Sequence, residues 1–476
     1  MTVTPKLLNV HYMVGWLLLP AATLALGGSA CASGAQLQQR QAALVSYRHA
    51  LPRHRTPRQL ARLKRLQRAV AQCRLPPPPT PPASGEPQQL RFYPQAEILG
   101  QDLYVYNFVD LDPTGGLLDW NCGRQTYDTH TGEDSIIRSF REQAIGVPVF
   151  AALDGRVTEV QGPNWPDDSW GTHTRPYDNH VVVAHANRQE TVYGHFKRGS
   201  ISVHVGRRVL AGQQLGLTGS SGNSSGPHLH LTTRWRGDVY EPFAGRCRPG
   251  SSGWLNQVPQ RTEAYVRDFS FSPRPYRGRA LLPWDEGPRT GTFRRGLHDV
   301  YFRLELGNAP NAPLAARLLR PDGSLAGSLP LLLQGPPRAL FAVGHLLVDL
   351  DALGGWRLRI GDHVDAAFDV VMGGVANRPP NALEAVELSP AAPKANDVVF
   401  CLVRSSLTHE DPDYDIVRYD YRWLVAGRPF RTGVSAALSD AIPRATSLPG
   451  QRITCRVTPL DGRLAGPTSS ITTVSG

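Results

Sequence analysis

Acidic side chains are missing from the first 85 residues, which hold eleven of the 51 Lys and Arg. The rest of the chain carries 40 charges of each sign, so the net charge of +11 belongs to a tail and not to the folded body. A tail of one sign is drawn to anionic polymers such as cell wall or lipid headgroups. Cysteine is scarce, six in 476 residues, and the six form no zinc-finger pattern. With no aromatic-basic groove either, no nucleic-acid partner is expected. Glycine and proline, at 46 and 41, are plentiful, and strand-like runs alternate with turns throughout. That composition predicts a mainly β protein outside the cytosol, and the length predicts two to four domains.

The N-terminus reads as an export signal spanning 1–32. Lys6 precedes an apolar run from Met13 to Leu26, then small residues to Ser33. Three fates stay open: cleavage after Ala30-x-Ala32, lipidation at Cys31 (though Gly28 stands where lipoprotein boxes carry Leu), or a retained membrane anchor. The anchor would put its basic flank outside, against the positive-inside tendency. The protein is expected in the periplasm, on the outer membrane or outside the cell. Residues 33–87 form a basic tail, with a predicted helix from Arg58 to Cys73, ending in a polyproline spacer, Pro76 to Pro82.

Residues 88–264 form a β-rich domain with strands expected at Val147–Leu153, Arg156–Gln161, His180–His185, Thr191–Tyr193, Gln214–Thr218 and His228–Thr233. A long loop from Gly162 to Asp178 carries Trp165, Trp170 and Tyr177, as a groove wall would. Residues 265–378 read as a β-sandwich with no titratable cluster and a structural or adhesive role. Residues 379–476 read as a second sandwich. There Cys401, Trp423 and Cys455 follow the Cys…Trp…Cys order of an immunoglobulin-like core, and the segment resembles bacterial Ig/PKD-like repeats. Its run Asp411-Pro-Asp-Tyr-Asp415 is expected to be a solvated loop rather than a calcium site. Export makes disulfides Cys122–Cys247 and Cys401–Cys455 plausible, with Cys73 left over.

Three stretches carry chemistry. His228 and His230 alternate across Leu229, so a strand puts both imidazoles on one face. In Tyr127-Asp-Thr-His-Thr-Gly-Glu-Asp134, His130 and Asp134 are zinc-ligand types, and Gly132 lets the chain turn so that they converge. His195 closes the strand Thr191-Val-Tyr-Gly-His. Singly, each is accounted for as a surface or packed histidine, as His173 and His204 are.

In their order, these motifs together with Asn179-His-Val-Val-Val…His185, Val205…Leu215-Gly216 and Gly219-x-x-Gly-Asn-Ser-Ser-Gly-Pro-His-Leu-His230 resemble the lysostaphin-type (LytM-like) zinc metallopeptidases. The resemblance covers about residues 120–235 and implies a small, mostly antiparallel β domain with a narrow groove. It makes His130, Asp134 and His230 ligands of one zinc ion, with His195 and His228 the catalytic pair. It implies an endopeptidase acting on peptidoglycan or another small-residue peptide. His180 departs from the family, which commonly has an aromatic there. The alternative is a non-catalytic wall-binding or regulatory protein, or an adhesin, that keeps the fold.

Overall fold

The computed structural model describes residues 86–476 except 163, 167–177, 278–283, 285–286, 310–312, 332–339 and 375. It also describes Ala61 and Lys64, both helical. The export signal, the polyproline spacer, the rest of the predicted tail helix, Cys31, Cys73, Trp170, His173 and Tyr177 lie outside these residues. No described helix is long and apolar enough to cross a membrane.

The first domain contains β1 (Tyr104–Asn107), β2 (Glu133–Ile136), α1 (Phe140–Ile145), β3 (Pro148–Phe150), β4 (Gly155–Gln161), β5 (His180–Ala184), β6 (Gln189–Gly194), β7 (Arg208–Val209), β8 (Gln214–Leu217), β9 (His228–Trp235) and β10 (Asp238–Val239). An eight-stranded sheet runs β1-β2-β9-β6-β5-β4-β7, with β10 paired to β9, while β3 and β8 form a separate pair. All these pairings are antiparallel. Val149, Val157, Val181, Val183, Leu215, Leu229 and Leu231 share one buried core with Phe108, Phe196, Phe243 and Trp254. Strand β9 shows why the sequence folds this way. Leu229 and Leu231 point into the core, so the intervening His228 and His230 point out of it. The short α1 is held at both ends. Ser139 accepts the Glu142 N–H at 3.2 Å, and Lys197 Nζ donates to the carbonyls of Gln143 and Ala144 at 2.9 and 2.8 Å.

The second domain is a sandwich of two sheets. One pairs β11 (Tyr265–Ser272), β13 (Gly296–Gly307) and β16 (Leu340–Leu350). The other runs β12 (Thr292–Arg294), β18 (Val364–Val371), β17 (Gly354–Ile360), β14 (Leu314–Leu319) and β15 (Leu325–Leu331). Trp356, Phe271, Phe302 and Phe368 fill its core. The expectation of no titratable cluster here fails. Arg303 donates to Asp268 and Glu305 at 2.8 Å, and Arg289 donates to Asp268 at 2.6 Å, all largely buried. Strand alternation hides this cluster, because charged residues on an outward face read as solvated until another domain covers them.

The third domain sets β19 (Ala385–Ser389), β20 (Val399–Arg404) and β23 (Ser439–Ile442) against β22 (Arg428–Ser435), β21 (Arg418–Val425), β24 (Arg452–Leu460) and β25 (Ser469–Val474). Disulfide Cys401–Cys455 joins the two sheets, and Trp423 lies opposite Cys455 on the neighbouring strand. The acidic run is not the solvated loop expected. Asp411 and Asp413 are buried; Asp411 caps the N–H of Asp413 at 2.7 Å, and Asp413 pairs with Arg378 at 2.9 Å.

This third domain packs on the first. Ala211, Val147 and Phe150 form one apolar cluster with Val398, Ala436, Ala437 and Ala441. Arg444, 1% exposed, places Nε 2.7 Å from Asp154 Oδ1, and Asp102 Oδ2 accepts the Leu438 N–H at 2.8 Å.

Candidate active site

The site is assembled by three adjacent strands. Asp134 on β2 lies directly opposite His230 on β9, and on the other side of β9 His230 lies opposite Gly194, the last residue of β6. His195 is therefore delivered beside the same point, and His228 comes two residues before His230 along β9. His130 arrives from the loop that leads into β2.

The donor atoms meet. His130 Nε2 lies 3.2 Å from Asp134 Oδ2 and 3.3 Å from His230 Nδ1, and His230 Nδ1 lies 2.8 Å from Asp134 Oδ1. Among the described residues this is the one group of three or more His, Cys, Asp or Glu that could hold a metal ion, its donors all within 4.8 Å of one another. Donors about 2.1 Å from a tetrahedral ion stand about 3.4 Å apart, so the spacing suits zinc. The other nitrogen of each ring is tied down. His130 Nδ1 donates to the Phe108 carbonyl at 2.7 Å, and His230 Nε2 lies 2.9 Å from Thr232 Oγ1. Asn107 Nδ2 donates to Asp134 Oδ2 at 2.9 Å. Such outer partners fix which nitrogen faces the ion.

Gly132 matters for a reason other than a turn. It has no left-handed backbone; instead, a Cβ there would lie 2.7 Å from both His230 ring atoms Cε1 and Nε2 and from the Leu231 carbonyl. The bend falls on Thr129, with φ of 64°. Thr232 and Gly132 are thus contributors whose roles spacing alone does not disclose.

His195 and His228 lie side by side nearby, their rings tilted by 46° with centroids 4.3 Å apart. His195 Nδ1 donates to the Ser221 carbonyl at 2.6 Å and His228 Nδ1 to the Gly226 carbonyl at 2.8 Å. A carbonyl only accepts, so both rings keep an unprotonated Nε2 when neutral. His228 Nε2 stands 3.6 Å from Asp134 Oδ1. Burial pushes both imidazoles below their usual value, and His228 lowers His195 further. Burial alone would raise the Asp134 carboxyl, but His228, His130 and His230 outweigh it and hold it well below the usual carboxylate range. Of the other residues the sequence singled out, His180 pairs with Asp178 and Glu159, His204 is exposed, and Trp165 donates its backbone N–H to Asn179 Oδ1 at 2.9 Å.

Residues 137–242 match Peptidase family M23. A stretch of 94 residues, 20% of this chain and 19% of the relative, is 37% identical to the peptidoglycan DD-endopeptidase ShyA of Vibrio cholerae. A stretch of 119 residues, 25% and 23%, is 32% identical to the DD-carboxypeptidase/endopeptidase Mpg of Neisseria meningitidis. One of 171 residues, 33% and 44%, is 37% identical to the glycyl-glycine endopeptidase ALE-1 of Staphylococcus capitis. The chain thus spans from about a fifth to less than half of the length of these relatives. His195, His228 and His230 fall inside the family match, while His130 and Asp134 precede it and join it through the β2–β9 pairing. The chain carries an M23 peptidase domain with lysostaphin-like relatives.

Proposed function

We propose that the M23 domain makes this protein an exported zinc-dependent endopeptidase that cleaves peptide bonds in bacterial peptidoglycan. The observation that carries the reading is the meeting of His130, Asp134 and His230 beside His195 and His228, two histidines that are largely but not fully enclosed. His130 Nε2, Asp134 and His230 Nδ1 would hold one zinc ion, three protein ligands being the number of a catalytic rather than a structural site. Bound there, the ion would supply Lewis-acid polarisation of the scissile carbonyl and of the attacking water.

The chain's own residues handle the proton. His228 Nε2 accepts it from the attacking water and later delivers it to the leaving amine. His195 stands beside it, its ring centroid 4.3 Å from that of His228, and is assigned to the developing oxyanion; the two histidines can exchange these roles. The basic tail would favour an anionic wall surface, and the N-terminus offers a route to membrane attachment.

The test is digestion of purified peptidoglycans of differing cross-link chemistry, with and without chelator, reading the cleaved bond by mass. His230→Ala should abolish both bound zinc and activity. His228→Ala should keep most of the zinc while the rate falls about 10²-fold or more. Wall digestion that survives chelation would refute the zinc reading.

A further inference from the structure

The residue least at ease in the site is His195. Its φ is 57°, in the left-handed region, where a residue with a side chain persists only if its surroundings over-determine it. Two contacts do so from opposite ends. The ring is tied through Nδ1 to the Ser221 carbonyl at 2.6 Å, and the backbone N–H is taken by Asp178 Oδ2 at 2.8 Å. The following peptide is gripped as well: the Phe196 N–H donates to the Asn179 carbonyl at 2.9 Å, and the Phe196 carbonyl accepts from Asn179 Nδ2 at 3.0 Å.

Asp178 is itself held in place. Its other oxygen accepts from His180 Nδ1 at 2.9 Å, and His180 Nε2 reaches toward Glu159 at 3.4 Å. On its inner side the carboxylate lies over Gly194, where a Cβ would come within 2.7 Å of Oδ2. Gly194 is the residue opposite His230, so the carboxylate sits at the strand end that delivers His195 to the metal ligands. His180, which breaks the family's aromatic pattern, therefore has a partner that the pattern does not require.

We propose that Asp178, pinned by His180, is a positioning residue that holds His195 in the left-handed conformation from which its imidazole faces the scissile bond. This rests on the assignment of His195 to the reaction. Asp178 touches none of the three metal-ligand side chains through a hydrogen bond and would act only through His195. With that hold removed, His195 can relax toward the ordinary extended or helical regions, and its Nε2 swings out of reach. A misplacement on the scale of 1 Å costs up to about 10²-fold in rate.

The experiment measures kcat, KM, bound zinc and melting temperature for four variants, acting on dimeric muropeptides prepared from purified peptidoglycan. Asp178→Ala should lower kcat about tenfold or more, with KM little changed and one zinc retained. Asp178→Asn, whose amide oxygen accepts the same N–H, should recover most of the loss. His180→Phe should show a smaller fall than Asp178→Ala, also at full zinc. His195→Ala tests the assignment itself. Wild-type kcat in Asp178→Ala alongside an inactive His195→Ala would overturn the positioning role, as would Asp178→Ala and Asp178→Asn losing zinc and melting temperature in step. Wild-type kcat in His195→Ala would instead sink the reading of His195 on which the proposal stands. If Asp178→Ala does not fold, His180→Phe decides: reduced kcat at full zinc supports the role and unchanged kcat refutes it.

Discussion

Single atoms decide whether this site exists. A methyl group at position 132 has nowhere to go, because the His230 imidazole and the Leu231 carbonyl both lie 2.7 Å from it. Gly132→Ala should therefore displace His230 and weaken zinc binding by about 10-fold to 100-fold while the fold survives, which metal titration against a melting curve will check. Thr232→Val, which strips the acceptor from His230 Nε2, should act in the same direction. A second expectation concerns pH. Burial lowers both His195 and His228, so the pair stays neutral as pH falls through the ordinary imidazole value of about 6.5 and protonates only below it. Activity should accordingly hold at pH 6.5 and fall only in more acid solution. A pH–rate profile whose acid limb lies above 6.5 would contradict this. The side chains in these arguments differ in how they announce themselves. The histidines and Asp134 stand out by type and spacing. Gly132 stands out as a glycine but for the wrong reason, since whether it turns the chain or clears space depends on what faces it.

Elements were legible where a face was. Strands β4, β5, β6, β8 and β9 show in the sequence because apolar and polar residues alternate along them or form short β-branched runs. The His-Leu-His-Leu of β9 gives the fold and the site at once. Strand β2, Glu-Asp-Ser-Ile, does not read as a strand: all four residues are buried, so there is no solvent face to set a rhythm. Helix α1, six residues long, is too short for a helical period to emerge. The loop that brings His130 has its own fastening. Asp119 gathers the backbone N–H groups of Asn121, Gly123 and Gln125, and Cys122–Cys247 ties this segment across 125 residues of chain. Replacing both cysteines by Ser should cost about 2–5 kcal/mol in a denaturant titration. Zinc affinity should fall with it, because His130 hangs from that loop. Full zinc affinity in the double variant would show that the hydrogen bonds around Asp119 suffice.

At the scale of the whole molecule, the third domain is more than an appendage to the M23 domain. The third domain packs small apolar residues against Val147, Phe150 and Ala211 of the first, and the buried Arg444 reaches Asp154 there. Arg444→Ala would remove that carboxylate's ion partner, leaving it the Ala211 N–H, and should lower stability by about 3 kcal/mol, measured by chemical unfolding. A drop below about 1 kcal/mol, the range of exposed pairs, would mean the contact is dispensable. The sequence gives no warning of this interface. Its apolar side is mostly alanine, and its arginine looks like any of the many others until the two domains meet.

One detail of the β2–β9 pairing reaches further. Strand side chains alternate faces, so sliding β2 by one residue past β9 would turn Asp134 to the far side and bring Glu133 or Ser135 toward His230. A molecule zipped out of step thus loses the Asp134–His230 pair: a slip that brings Ser135 opposite leaves no carboxylate there, and one that brings Glu133 sets a longer acid in its place. If the site takes zinc as proposed, metal capture favours the alignment that sets Asp134 against His230, and the fraction of chains that take up the ion on refolding follows the fraction that closed in that register.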